Sequence, residues 1–373
     1  MQNLIIISNI DIDYHISPIL RRMNEIQDDF LFNILPISKN EIDEYSLQID
    51  KDIKGDDYFY SLSKLKLDKG YKEKDLVIFY SKGILSSKKG TNLFRRTKDE
   101  TDEIQGVSII SYRFLQNEVL ESNIDFKKIS HALFHFILNS VIGTYTNLKT
   151  HFDDKGCVRD YCNYLRNINR KLDENNYCLC RECKNELIKS NYHNPILKMI
   201  EHTSEIYGER RILVLGAYGD GGMKRIAEIC RSIEKRNFTP IVIKDIRDDV
   251  YKTNIQKIVF EALQADFVIC EYSIPGGEIA ELQKLSELDI IISVVHEENK
   301  GATHMLDELF YRRLNIERRI YKKLEEIDSI IDESIKWALK TRENHANDLN
   351  TIYNWRMDTM RNVYDGLSIQ YNQ

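Results

Sequence analysis

The hydrophobic pattern changes character near the middle of this chain. MQNLIIISNIDID runs one short apolar segment into acidic residues, which predicts an opening β-strand. FKKISHALFHFILNSVIGTY sets Ile129, Leu133, Phe134, Ile137, Leu138 and Ile142 at helical spacing and predicts a largely buried helix. A more polar helical stretch, NPILKMIEHTSEIYGER, follows. Beyond it the rhythm becomes strand, turn, helix. RILVLG, TPIVIKDI, ADFVICEY and LDIIISVVH read as four strands, with helices over Met223–Arg236, Ile255–Leu263 and Glu278–Leu288 between them. Short continuous apolar runs alternating with helices predict a doubly wound parallel sheet with both faces covered. From about Met305 onward the apolar positions Leu306, Leu309, Phe310, Leu314, Ile320, Leu324, Ile327, Ile331, Ile335 and Leu339 recur mostly every three or four residues, predicting a helical tail.

Composition narrows the class. With 373 residues, 42% hydrophobic and 30% charged, the chain has apolar material for two or three cores, which excludes a disordered or disulfide-scaffold protein. No apolar run approaches the ~20 residues of a membrane span, and no secretory pattern opens the sequence. A net charge of −6 argues against bulk nucleic-acid binding. The expectation is a soluble cytoplasmic protein that neither enters a membrane nor binds nucleic acid.

The chemistry is concentrated in two places. Five of the seven cysteines, Cys157, Cys162, Cys178, Cys180 and Cys183, fall in one short stretch, which in a reducing compartment reads as metal ligation. Cys157-x4-Cys162 and Cys180-x2-Cys183 make two close pairs suited to tetrahedral Zn²⁺, with Cys178 as an alternative ligand. Upstream, His131 and His135 are four apart and share one helical face, as two imidazoles gripping one metal would. A metallopeptidase needs a Glu directly after the first His to deprotonate a metal-bound water. Here Ala132 stands there.

These residues resemble the archaemetzincins, zinc peptidases with HExxHxxGxxHC, four residues, Cys, 17 residues and CxxC. Cys157, Cys162, Cys180 and Cys183 match the second half at full spacing, while His131, His135, a displaced Gly143 and His151 follow the first half in outline. DLVIFYSKGIL and GVSIISYRFL are similar to that family's paired strands ahead of the active-site helix. The resemblance spans residues 1–190. It implies a metzincin-like α/β domain with a structural four-cysteine zinc knuckle, a degenerate histidine site with His151 as third ligand, and lost proteolysis.

The second concentration is GAYGDGGMKR, where Gly216, Gly219, Gly221 and Gly222 lie between the first strand of the second half and its helix. Such turns bring ligand phosphate against backbone N–H groups at a helix start. The loop fits neither GxGxxG nor a P-loop. Glu271 ends another strand, Ser273 and Pro-Gly-Gly with Gly276 and Gly277 follow, and Glu281 lies inside the next helix. Two carboxylates beside a phosphate cradle suit glycosyl transfer.

This set resembles the nucleoside 2-deoxyribosyltransferases and their relatives that hydrolyse deoxynucleoside monophosphates, over residues 209–300. Gln283 departs from the family's glycine after Glu-Leu, and the turn before the glutamate is a residue shorter. The resemblance implies Glu281 as nucleophile and Gly216, Tyr218, Gly219, Gly221 and Gly222 around sugar or phosphate. It implies Ser273 as a further contact, and Asp245 orienting base or ribose. TIR-type NAD hydrolases use a helix glutamate in a related sheet, which makes NAD a rival substrate.

The expected organisation is an archaemetzincin-like domain at 1–190, a helical linker at 191–208, a Rossmann-like deoxyribosyltransferase-like domain at 209–303 and a helical tail at 304–373. The tail covers its own domain or pairs two copies. The leading expectation is a nucleotide-acting N-glycosidase regulated by an inert peptidase-like domain or its protein partner, as in a bacterial defence or toxin effector. A nucleotide sensor without turnover and a surviving metallopeptidase are the alternatives.

Overall fold

Leu4, Ile5, Ile6 and Ile7 are four apolar residues in succession, and all four are buried, so the opening strand is covered on both faces. The computed structural model describes residues 2–344 apart from 9, 48–52, 82–84, 88–89, 94, 98–105, 112–125, 147, 152–154, 161–164, 175, 220, 247–252, 275–277, 289 and 302–303. The chain divides into two compact units, Met1–Gly208 and Glu209–Gln373.

The first unit begins β1 (Gln2–Ser8), α1 (Ile10–Ile26), β2 (Phe30–Pro36), α2 (Lys39–Glu44), β3 (Ile53–Lys54), α3 (Gly55–Asp68) and β4 (Leu76–Ser81). It continues with β5 (Leu85–Ser87), β6 (Gly90–Leu93), β7 (Arg95–Thr97), β8 (Val107–Ser111), α4 (Phe126–Tyr145), α5 (Leu165–Asp173), α6 (Arg181–Leu187) and α7 (His193–Gly208). The main sheet runs β2-β1-β4-β8-β7, parallel except for β7, which pairs antiparallel with β8. A small second sheet joins β3, β5 and β6. Period-two alternation splits the core. Leu4, Ile6, Leu76, Ile78 and Tyr80 pack with α1, α4 and α7, whereas Ile5, Ile7, Val77 and Phe79 pack with Phe59, Leu62 and Leu65 of α3. Helix α4 lies against the sheet: Tyr80 donates its hydroxyl to the Leu133 carbonyl, and Ser108 and Ser140 hydroxyls meet at 2.8 Å.

The segment 191–208 differs from a linker. Ile196, Met199, Ile200 and Ile206 on α7 are buried in the core of the first unit, because its apolar spacing continues that core.

The second unit comprises β9 (Arg211–Gly216), α8 (Gly222–Glu234), β10 (Thr239–Val242), a 3-10 turn (Ile243–Asp245), α9 (Asn254–Gln264), β11 (Phe267–Glu271) and α10 (Glu278–Glu287). It is completed by β12 (Ile292–Glu297), α11 (His304–Arg312), β13 (Ile316–Tyr321) and a helix over residues 327–344, α12. Its sheet runs β10-β9-β11-β12-β13, parallel throughout. The molecule is thus mixed α/β with two largely parallel sheets, and the second unit is a Rossmann-like doubly wound layer. In order of appearance those strands are 2-1-3-4-5, so the winding reverses between β9 and β11, and ligands of such sheets bind at that crevice.

The helical tail is corrected in one respect. Residues 316–321 form the fifth strand, in register with β12 from Ile292↔Ile316 to Glu297↔Tyr321. IERRIY carries charge because it is an edge strand, and the helical count reads through it. On α12, Ile327, Ile331, Ile335 and Ala338 share a core with Ile212, Val214, Ile269 and Val295. Of the two expectations for the tail, covering its own domain is the one this part of the stripe follows.

Candidate functional site

Each unit places one set of polar groups where chemistry is available. In the first, Cys157 lies on a tight turn after α4, and Cys180 caps α6 so that Cys183 falls in its first turn. The Cys157 and Cys178 backbones form a bridge, which brings the two cysteine segments side by side. One ligand atom each from His151, Cys157, Cys180 and Cys183 lies within 4.8 Å of the other three. His151 Nε2 is 3.0 Å from Cys183 Sγ and 3.4 Å from Cys180 Sγ. A tetrahedral zinc site, with Zn–S about 2.3 Å and Zn–N about 2.0 Å, has edges of roughly 3.5–3.8 Å. The four donors cluster near that size, the His151 contacts being somewhat shorter than such an edge. The Cys157 sulfur also accepts the backbone N–H groups of Arg159 (3.4 Å) and Cys180 (3.3 Å), as a metal-bound thiolate does. Burial pushes the Cys157 and Cys183 thiols above their ordinary range, so a cation is needed to hold them as thiolates.

Beside three of the expected cysteines, the cluster takes a donor from His151. His151 occupies the fourth corner among the described residues, Cys162 lies outside them, and Cys178 is exposed with only its backbone engaged. His151 is therefore not the third member of a His131/His135 site. His135 Nδ1 meets the Tyr177 hydroxyl at 2.8 Å and its Nε2 lies 3.1 Å from Asn139 Nδ2. Because an amide nitrogen only donates, Nε2 accepts and Nδ1 carries the proton. His131 is fully buried, its ring edge-on to Tyr207 at 5.0 Å and neither nitrogen hydrogen-bonded among the described residues. Burial, with Lys127 and Arg22 adding to it, pulls its pKa down to about 3, so it is neutral at pH 7. Among the described residues the two histidines do not converge with a third ligand.

Arg159 was invisible to sequence reasoning and joins these parts. Its guanidinium is buried, donating to the Asn139 carbonyl and Oδ1 (3.1 and 2.8 Å), the Leu148 carbonyl (2.7 Å) and Thr150 Oγ1 (3.3 Å). Burial lowers its pKa to about 10, against the pull of Cys183 and Cys157, which leaves it cationic at neutral pH. Its own carbonyl accepts the His151 N–H at 3.0 Å.

In the second unit the register sets Glu271 directly opposite Gly216 at the carboxyl ends of β11 and β9. Glu271 is fully buried. Its Oε1 accepts from the Tyr321 hydroxyl (3.1 Å), the Ser273 N–H (3.2 Å) and the Ser273 hydroxyl. Arg225 from α8 lies 3.0 Å away as an ion pair without hydrogen-bond geometry. Ser273 Oγ in turn accepts the Glu297 N–H at 2.8 Å. Glu271 Oε2 and Arg225 Nη2 are buried with no hydrogen-bond partner among the described residues. The glycine turn fits closely over this pair. A Cβ on Gly222 would stand 2.0 Å from the Ala217 carbonyl oxygen, and Gly221 holds φ at +83° with Arg225 Nη1 beneath it. Next door, Arg318 Nε donates to His296 Nε2 at 2.6 Å and pairs with Asp307, which fixes His296 as the neutral Nδ1–H tautomer.

The predicted residues thus divide. Gly216, Gly221, Gly222, Glu271 and Ser273 converge at the switch point, whereas Asp245 lies exposed one turn past β10. Tyr218 and Gly219 belong to the same turn, and Glu281 is half-buried on α10. Gly276 and Gly277 lie outside the described residues. Arg225 and Tyr321 come from elements distant from Glu271 in sequence, and only the fold brings them to it.

No protein-family model matches the chain, and no curated protein matches it. Among solved structures, a Clostridium botulinum CMP N-glycosidase, BcmB, aligns at 18% identity and TM-score 0.26, over 33% of this chain and 98% of its own. A zinc-dependent peptidase from Methanocorpusculum labreanum aligns at 14% identity and TM-score 0.31, over 49% of this chain and 98% of its own. A GTP-binding protein from Sulfolobus solfataricus, in complex with GDP, aligns at 11% identity and TM-score 0.25, over 91% and 100%.

Proposed function

We propose that the second unit binds a nucleotide at the β9–β11 crevice and cleaves its base–sugar bond. One observation carries this reading. At the point where winding reverses, a glycine turn that admits no side chain at Gly222 faces a buried carboxylate–guanidinium pair. Glycine-rich backbone at a helix start favours phosphate. Glu271, engaged on Oε1 by Ser273 and Tyr321, is a positioning group that braces the crevice. Glu281, half-buried on the helix that follows β11, is the carboxylate assigned to attack or stabilise the anomeric carbon. Nucleoside monophosphates and NAD are the two substrate classes. The first unit serves as a metal-stapled regulatory module, since Ala132 stands where a peptidase needs its base and His135 has both nitrogens engaged.

The test is release of free base from a panel of nucleoside monophosphates and NAD, followed by mass spectrometry, with Glu281→Gln alongside. Base release by the parent and its loss in the variant support the reading. Unchanged turnover in Glu281→Gln, or no release from any substrate, overturns it. Stoichiometric binding without turnover would favour a sensor, a reading supported by the engagement of Glu271 in fixed contacts.

A further inference from the structure

Charge balance around the cysteine cluster points to a specific complex. With His151 neutral, three thiolates and one divalent ion sum to −1. A buried net charge is expensive unless compensated. Lys171 and Asp160, both buried beside Cys157, pair at 3.1 Å and cancel each other. Arg159 remains. Its four acceptor atoms, on Asn139, Leu148 and Thr150, are all neutral, and no carboxylate pairs with it among the described residues. Those hydrogen bonds solvate the buried guanidinium but leave its charge without a counter-ion among the described residues.

We infer that the cluster is built for a divalent, thiophilic cation held as a monoanionic complex of three thiolates and one imidazole, with Arg159 as its built-in counter-ion and positioning residue. The inference rests on the metal reading of the cluster and goes beyond it by fixing the charge of the complex. The geometry supports both roles. The side chain grips Thr150, next to His151, while the Arg159 backbone holds the His151 N–H and donates to the Cys157 sulfur. The same side chain reaches Asn139 on α4, whose amide donates to His135. The helix that resembles a peptidase active-site helix thus spends its polar residues on bracing the metal turn. A set of four thiolates would carry −2 and leave one charge uncompensated. Monovalent copper on the same three thiolates would do likewise, so charge selects for a divalent ion.

A double-variant cycle on the reduced full-length chain tests this, with Zn²⁺ affinity read by competition against a chromophoric chelator. Arg159→Gln is expected to weaken zinc binding by ~10–100-fold, and Arg159→Lys to recover most of that loss. Cys180→His alone makes the complex neutral and strands the arginine, so it too should weaken binding. Combined with Arg159→Gln it restores neutrality, and the pair should bind more tightly than either single variant. Saturated with Co²⁺, Arg159→Gln should keep the parental thiolate charge-transfer band, which a collapsed site would lose. Parental affinity in Arg159→Gln, a lysine variant no better than the glutamine one, or a double variant weaker than both singles would overturn the counter-ion role. A parent chain that binds no divalent metal would overturn the metal reading itself.

Discussion

Glu271 faces Gly216 across the β9–β11 pairing, and the room between them is fixed by the missing side chain. A Cβ on Gly216 would lie 3.0 Å from the Glu271 carbonyl oxygen and 3.1 Å from its Cβ. The fit is tighter still at Gly222, whose added Cβ would collide with the Ala217 carbonyl at 2.0 Å. Gly222→Ala must therefore displace the turn, at a cost of ~1–3 kcal/mol. A lowered thermal midpoint with zinc content unchanged is the expected result. Full stability in that variant would show the turn to be loosely held.

The Arg225–Glu271 pair makes a second prediction. Removing one partner of a buried pair leaves an uncompensated charge, whereas removing both does not. Arg225→Met should destabilise the second unit by ~3–5 kcal/mol. Adding Glu271→Gln, which keeps an acceptor for Tyr321, should recover part of that loss. Trp337 packs against this unit's core, so urea unfolding followed by fluorescence reads the difference. Additive effects of the two substitutions would mean that the pair is not coupled.

The sequence disclosed this sheet better than its polar centre, for a physical reason. Strands buried on both faces must be continuously apolar, so RILVLG, FVICE and ISVVH announce themselves. Strand β13 does not, because an edge strand tolerates Glu317, Arg318 and Arg319. Glu271 was legible at a strand tip, but its partner Tyr321 lies 50 residues away and no local pattern links them. Family spacing likewise points to Cys162, which lies outside the described residues, and gives no sign of His151 beside Cys157, Cys180 and Cys183. Only the fold shows that the extended segment at His151 pairs with Asp160 and delivers an imidazole to the cluster.

Ligand variants separate those sets. Metal content by mass spectrometry should give one ion per chain, matching the single cluster found among the described residues. His151→Ala and Cys183→Ser should lose it or hold it far more weakly, while Cys162→Ser and Cys178→Ser retain it. Chelation should lower the thermal midpoint of the first unit, since ligand-borne free energy is folding free energy for such turns. Loss of the metal in Cys162→Ser with retention in His151→Ala would restore the four-cysteine set.

Buried His131 gives the first unit a distinctive response to acid. Its pKa in the fold is about 3, against an ordinary 6.5. Between those values the unfolded chain binds a proton that the folded chain refuses. The stability tied to this group is therefore complete above pH 6.5 and falls by ~1.4 kcal/mol per pH unit as pH drops towards 3. Neither ring nitrogen has a hydrogen-bond partner among the described residues, so an apolar ring of similar volume loses nothing and avoids the desolvation cost. Phenylalanine can also keep the edge-on contact with Tyr207 at 5.0 Å. His131→Phe should therefore match or exceed the parent in urea midpoint at pH 7. Its advantage should widen at pH 5, where acid release of the metal ligands weakens both chains alike. Parallel midpoints at the two pH values would show that His131 is not held neutral by burial.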